Sequence, residues 1–68
     1  MATARLVRNA IEKSGWQLVS IEGSHRKYRK GNRTEMFAYH DSVDLGRRAM
    51  ARIAKQYGMS TEELRRLL

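Results

Sequence analysis

The sequence predicts an α+β fold in which a three-stranded antiparallel sheet carries helices on one of its faces. Apolar residues recur with helical spacing towards both ends of the chain, whereas the middle holds three short runs rich in aromatic and β-branched residues, separated by glycine-containing turns. Strands that follow one another through tight turns pair as an antiparallel meander. The expected order of elements is therefore α-β-β-β-α-α, with the helices packed on one face of the sheet.

The first segment predicts an amphipathic helix that begins after Thr3 and ends at Gly15. Thr3 is a suitable N-cap, and Gly15 suits the left-handed conformation in which many helices end. The apolar residues between them recur at helical spacing and form one stripe: Leu6, Val7, Ala10 and Ile11. Most charged residues of the segment fall on the other side, so we expect the stripe to face the sheet.

Three strands are predicted in the middle of the chain, at residues 16–22, His25–Lys30 and 34–39. The turns between them are supplied by two pairs of residues, Gly23 with Ser24 and Gly31 with Asn32. Because side chains alternate along a strand, Tyr28 is expected to point into the core, away from its charged neighbours. Trp16 and Phe37 could stack on nucleic-acid bases, but in so small a core we expect both to be buried.

The helical period returns after residue 43, with Asp44 as the expected cap of a second long helix that ends at Gly58. Its apolar stripe consists of residues that step by four: Leu45, Ala49, Ile53 and Tyr57. Ser60 and Glu63 then form a capping-box pattern, in which each side chain accepts a hydrogen bond from the backbone N–H of the other residue. This pattern predicts a short third helix.

Composition points to a basic protein that binds a polyanion. The 68 residues include 14 Lys and Arg against seven Asp and Glu, a net charge of +7. Nucleic acid is the commonest polyanionic partner, with a membrane surface or an acidic protein as the alternatives. The absence of cysteine excludes disulfides and thiolate metal sites. No signal peptide or membrane-spanning run is recognisable in the sequence, so a cytoplasmic protein is expected.

Basic residues concentrate in two places. Five lie on the second and third predicted strands and their turn: Arg26, Lys27, Arg29, Lys30 and Arg33. Four more form a ridge on the second long helix: Arg47, Arg48, Arg52 and Lys55. Contacts of this kind hold phosphates without reading base sequence, although any helix also needs a polar face. The hairpin cations, Arg47 and Arg48 are the predicted RNA-binding residues.

His25 is the candidate catalytic residue. It follows a Gly-Ser turn at the start of a strand, and alternation puts it on the same face as Lys27 and Arg29. A neutral imidazole there can take the proton from a ribose 2′-hydroxyl while the cations hold phosphate. The alternative is an exposed or turn-capping histidine with no chemical role.

Other constellations are weaker. His40, at the end of the third predicted strand, is either an acid that protonates the leaving 5′-oxygen or an ordinary loop residue. The two histidines lack metal-ligand spacing with Asp41 or Asp44, so no metal is expected. Ser24 points away from His25 in extended chain, and no acid is placed to orient the ring, which argues against a serine nucleophile.

The order of these motifs resembles the HicA family of toxins. The resemblance covers nearly the whole chain and is carried by Gly15 and Trp16, by Gly23, Ser24 and His25, by a strand ending in His40, by Asp44 and Leu45, and by residues 53–60. The chain departs from the family pattern at Ala38, where proline is usual. It departs again at Arg48 and Ala49, where Gly-Thr is usual.

The resemblance implies that residues 1–68 form a single domain with a fold like the double-stranded-RNA-binding domain. It also implies a metal-independent endoribonuclease that cleaves messenger RNA without a cofactor, with His25 as its essential histidine. A HicB antitoxin would silence it by covering this face, and the free toxin is expected to be monomeric. The rival interpretations are an RNA-binding module of the same fold without catalysis and a module that docks an acidic protein.

Overall fold

The computed structural model describes residues 2–68 and confirms an α+β fold with three helices and a three-stranded antiparallel sheet. The helices are α1 (Ala4–Lys13), α2 (Arg47–Gln56) and α3 (Thr61–Leu67). The strands are β1 (Ala2–Thr3), β2 (Gln17–Glu22), β3 (His25–Lys30), β4 (Arg33–Phe37) and β5 (Asp44–Leu45). None of the helices within residues 2–68 has the length and apolar character that a membrane crossing requires.

The main sheet has the strand order β2-β3-β4, so β3 is central and paired on both sides. Both connections are two-residue turns whose first residue is a glycine with positive φ, +61° at Gly23 and +59° at Gly31. Glycine at the first central position is what a tight hairpin that follows the sheet twist requires. The predicted turns are therefore confirmed, and they fix which residues of neighbouring strands face each other.

Two of the predicted strands are shorter than expected. The strand predicted at 16–22 begins at Gln17, and the one predicted at 34–39 ends at Phe37. The last pair between β3 and β4 joins Arg26 to Phe37, and the ladder does not continue to His25, the first residue of β3. Tyr39 and His40 consequently lie in a loop.

The role predicted for Asp44 is wrong. Asp44 belongs to β5, which pairs with β1 in a two-residue antiparallel ladder, Ala2 with Leu45 and Thr3 with Asp44. Gly46, in extended conformation, is the N-cap of α2 instead. The backbone of Asp44 and Leu45 finds its hydrogen-bond partners in the first residues of the chain. A local sequence pattern does not reveal such distant pairing.

The core lies between the helices and one face of the sheet. Tyr28 is fully buried and its hydroxyl donates to Glu12 Oε2 of α1 at 2.6 Å. Trp16 packs edge-on against Tyr57 with ring centroids 4.9 Å apart, and its Nε1 donates to the Tyr57 carbonyl oxygen at 3.2 Å. Phe37 is buried as well, so the predicted burial of the three aromatic residues is confirmed.

The helix patterns are borne out in part: of the stripe predicted for the second long helix, Leu45 lies in β5, Tyr57 is the C-cap of α2, Ala49 is half-buried and Ile53 is buried. Val7, Ala10 and Ile11 are buried, but Leu6 is 47% exposed and does not belong to the buried stripe of α1. The predicted capping box of α3 is present, with reciprocal hydrogen bonds between Ser60 and Glu63. The whole core consists of Ala2, Ala4, Val7, Ala10, Ile11, Trp16, Tyr28, Phe37, Leu45, Met50, Ile53, Ala54, Tyr57 and Leu64.

Candidate functional site

His25 is the first residue of β3 and is exposed on the sheet face that the helices leave open. Lys27 and Arg29 are exposed as well and, by alternation along the strand, extend from the same face. Buried Tyr28 points to the opposite face. The predicted arrangement of an imidazole and two cations on one open face is therefore confirmed.

Glu22 lies directly opposite His25 and was not recognised from the sequence. The two residues are paired across the Gly23–Ser24 turn, so their side chains extend from the same side of the hairpin. The pairing puts a carboxylate-bearing residue next to His25 on the neighbouring strand, but within residues 2–68 the two side chains form no ion pair or hydrogen bond. A two-residue turn with Glu22 before it and His25 after it was the available signal.

The open face around His25 is not uniformly polar. A shallow depression there is lined by Ser20, Ile21, Glu22, His25, Lys27 and Met36. Met36 is paired with Lys27 and is 48% exposed. A charged group and an apolar surface therefore adjoin the imidazole, a combination that suits a ligand with both a phosphate and a flat ring.

Two of the hairpin cations bind the protein itself. Lys30 and Arg33 flank the second turn and face the helices. Lys30 Nζ donates to the carbonyl oxygen of Ser14, the C-cap of α1, at 2.8 Å. Arg33 donates to the carbonyl oxygen of Gln56, the last residue of α2, at 2.7 Å. Each cation thus stabilises the negative end of a helix.

Arg33 is held further by its side-chain neighbours. Its guanidinium lies 5.5 Å from the centre of the Trp16 ring and 3.5 Å from Glu35 Oε2. Gln56 completes the group by donating to Glu35 Oε1 at 2.9 Å. These contacts connect β4 to α2, so part of the basic charge counted from the sequence is engaged in the fold.

The cations of α2 are all exposed, because the helix buries Met50, Ile53 and Ala54 on its other side. They are Arg47, Arg48, Arg52 and Lys55. Within residues 2–68 they form no ion pair, so their charge is available to a partner. The helix packs on the sheet face opposite to His25, and this places the ridge and the imidazole on different sides of the molecule.

A second depression adjoins the same hairpin turn on its other side. It is lined by Gly23, Ser24, Arg26, Tyr39, His40 and Asp41. Arg26 lies next to His25 in the chain but points to the opposite face of β3. His40 is exposed in the loop that follows β4. The structure thus places the two histidines in separate depressions that share one turn.

No group of three or more His, Asp or Glu side chains converges as a metal site within residues 2–68. Such a group would be the minimal signature of an all-protein metal centre.

Comparison with known proteins identifies a family. The family model of the HicA toxin of bacterial toxin-antitoxin systems matches residues 4–59 of the 68-residue chain. The comparison with curated proteins finds no match, and neither does the comparison with solved structures. The matched segment includes the Gly23–Ser24 turn, the open sheet face and both long helices. The chain therefore belongs to the HicA family of bacterial toxin–antitoxin toxins.

Proposed function

We propose that this toxin is an endoribonuclease that cleaves messenger RNA with His25 as general base and acid and without a metal ion. The observation that carries the proposal is the position of His25, exposed beside Lys27 and Arg29 on the open sheet face of a HicA-family chain. Two cations beside an imidazole suit a phosphodiester, whose negative charge increases as it reacts.

The chemistry requires one proton acceptor and one proton donor. His25 takes the proton of a ribose 2′-hydroxyl, the 2′-oxygen attacks the adjacent phosphorus, and the bond from phosphorus to the 5′-oxygen breaks. The proton then held on the imidazole passes to the departing 5′-oxygen, so that charges and atoms balance. A positioned general base typically contributes a factor of about 10²–10⁴.

Glu22 acts in this proposal as a positioning residue. A carboxylate beside an imidazole holds the ring in one orientation and stabilises its protonated form. The cross-strand pairing puts Glu22 within reach of His25 with no intervening structure. Within residues 2–68 the two side chains form no ion pair or hydrogen bond, so in this proposal the contact between them forms when RNA binds.

The RNA is held chiefly by its phosphates. Lys27 and Arg29 contact it on the open face and Arg26 lies beside the shared turn. Arg47 and Arg48 lie on the other side of the molecule and add attraction at longer range. Lys30 and Arg33 belong to the same predicted set but contribute mainly through the helix ends that they bind. The cytoplasm is the proposed site of action, since the substrate is messenger RNA.

A HicB-like antitoxin is the proposed regulator. A protein that covers the open face buries His25, Lys27 and Arg29 together and removes them from RNA. An acidic surface is the expected complement of this basic one. The free toxin is proposed to be monomeric.

The test is cleavage of RNA by the purified chain in excess chelator. His25→Ala should abolish cleavage and keep the wild-type melting temperature. Asn32→Ala, in the other two-residue turn, is the matched control and should cleave normally. RNA in which the 2′-hydroxyl at the cleavage site is methylated should resist the wild-type protein, because it has no proton to give. RNA binding without cleavage at any pH would instead identify a binding module.

A further inference from the structure

The turn made by Gly23 and Ser24 separates two depressions of different character. The first contains His25 and opens on the free sheet face. The second contains Arg26 and His40 and lies on the other side of the turn. Consecutive Cα atoms are about 3.8 Å apart, and alternation sends their side chains to opposite faces. A strand of RNA that crosses the turn therefore meets His25 and Arg26 in immediate succession.

The second depression has the chemistry of an anion site with a ribose or base beside it. Arg26 is half-buried and has no ion-pair partner within residues 2–68. Ser24 and Tyr39 add hydroxyl groups, and His40 adds an exposed imidazole. A guanidinium with free donors beside hydroxyl groups binds phosphate in a fixed geometry.

The acidic member of this lining is already neutralised. Asp41 accepts a hydrogen bond from Arg8 at 3.1 Å, and the Arg8 side chain is only 14% exposed. The charge of Asp41 is therefore directed towards α1, and the remaining charge at the depression is that of Arg26. This removes the main electrostatic objection to an anion at this place.

The loop that carries His40 is fixed by the backbone. The carbonyl oxygen of His40 accepts from the Val43 amide at 3.0 Å, and that of Asp41 accepts from the Arg5 amide at 3.2 Å. Val43 in turn accepts from the Ala4 amide at 2.8 Å. Three backbone hydrogen bonds over four residues fix the loop from which His40 extends before any ligand arrives, which reduces the entropic cost of binding.

We propose that the depression lined by Arg26, Tyr39 and His40 is a subsite for the phosphate and ribose next to the scissile phosphate. This proposal rests on the proposed ribonuclease function. Arg26 takes the neighbouring phosphate, and His40 and Tyr39 contact its nucleoside. The RNA then bends over the Gly23–Ser24 turn, with the scissile phosphate on the His25 side. His40 is thus a binding residue, with no proton transfer assigned to it.

The test compares the binding of short RNAs of different length that cannot be cleaved. All ligands are fully 2′-O-methylated. They are a dinucleotide, which has one internal phosphate, and two trinucleotides, which add a second phosphate on its 5′ or its 3′ side. Each ligand is titrated into the protein, and its binding is followed by NMR. One trinucleotide should bind the wild type about tenfold more tightly than the dinucleotide, as expected for one charge-assisted contact. His40→Asn and Arg26→Gln should bring this ratio towards one.

The control is Lys27→Gln, on the His25 side of the turn, which should weaken both ligands equally and preserve the ratio. Melting temperatures of all variants are measured beside the titrations, and an unchanged ratio in folded His40→Asn and Arg26→Gln overturns the subsite. A wild-type ratio of one overturns it as well. Cleavage of unmodified RNA is assayed separately. If the trinucleotide binds more tightly as expected but RNA is not cleaved, the subsite is supported and the proposed nuclease activity is rejected. If RNA is cleaved but the ratio of affinities is one, the nuclease activity is supported and the subsite is rejected.

Discussion

Glu22 and His25 are the last cross-strand pair before the turn that joins β2 to β3. The turn has only two residues, and Gly23 adopts the positive φ that such a tight reversal needs. The two residues are therefore neighbours on adjacent strands, joined by the shortest connection that a hairpin allows. Backbone pairing fixes this neighbourhood, and rotation of the two side chains is enough to bring the carboxylate to the imidazole.

Replacing Glu22 by Gln is expected to lower kcat for RNA cleavage by about tenfold, with little change in KM. Glutamine keeps the shape but removes the negative charge that would stabilise a protonated ring, and the typical range for positioning and electrostatic contacts sets the magnitude. Steady-state kinetics of the variant measure this. Glu62→Gln, on α3, is the control of equal charge change. A rise in KM with an unchanged kcat would assign Glu22 to RNA binding instead.

Replacing Lys27 should affect RNA binding, whereas replacing Lys30 should affect the stability of the fold, although both lysines lie on the same strand. Lys27→Gln is expected to reduce the slope of log K against log salt for single-stranded RNA by about 0.7, because one phosphate contact is lost. Lys30→Gln should leave the slope nearly unchanged and lower the melting temperature, since Lys30 Nζ binds the end of α1. Equal slopes for the two variants would contradict this division.

Two buried tyrosines should respond oppositely to loss of the hydroxyl. Burial, with the hydrogen bond to Glu12 as a second cause, raises the pKa of Tyr28. Tyr28→Phe is expected to destabilise the protein by about 0.5–1.5 kcal/mol. Burial also raises the pKa of Tyr57, whose hydroxyl has no partner within residues 2–68. Tyr57→Phe should be neutral or stabilising, which urea denaturation of both variants measures.

The capping box of α3 predicts a pH-dependent contribution to stability. The backbone and side-chain hydrogen bonds with Ser60 lower the pKa of Glu63 below its ordinary value. A carboxyl with a lowered pKa stabilises the folded state fully above the ordinary value, and this contribution is lost as the pH falls below it. Ser60→Ala should therefore lower the melting temperature at neutral pH by about 4–8 °C.

The difference in melting temperature between wild type and Ser60→Ala should become somewhat smaller as the solution is acidified. The variant loses the Ser60 hydroxyl, the second cause of the lowered pKa of Glu63, but keeps the backbone N–H that is the first cause. Ser42→Ala, at an exposed serine whose side chain forms no hydrogen bond within the described residues, is the matched control. It should melt like the wild type throughout. A constant gap between wild type and Ser60→Ala from neutral to acidic pH would exclude a contribution of the Ser60 hydroxyl to this linkage.

Local chemistry made much of the fold predictable. The bounds of β3, both turns and the inward position of Tyr28 follow from alternation and from glycine at positions of positive φ. The capping box was predictable for the same reason, since both partners lie within four residues of each other. These features depend only on neighbours in the sequence, and the sequence contains them in full.

The remaining features depend on contacts between distant segments. In the sequence, Lys30 and Arg33 cannot be distinguished from cations that are free to bind a partner. Only the packing of the sheet on the helices shows that each of them binds the end of a helix. The short ladder between β1 and β5 joins residues more than 40 positions apart and leaves no periodic signal. Leu6 fits the helical period equally well, yet no element covers its side of α1.

The ladder between Ala2 and Leu45 also has a practical consequence for anyone who attaches a tag or fluorophore to this protein. Ala2 is buried and paired with Leu45, so a peptide fused in front of it leaves past Leu45 and Gly46, where α2 begins. Such a fusion would disturb the short ladder and the start of α2, and its effect would resemble that of a destabilising mutation. A label after Leu68 leaves from α3, which packs on α1 and α2, and keeps the approach of RNA to both histidines open.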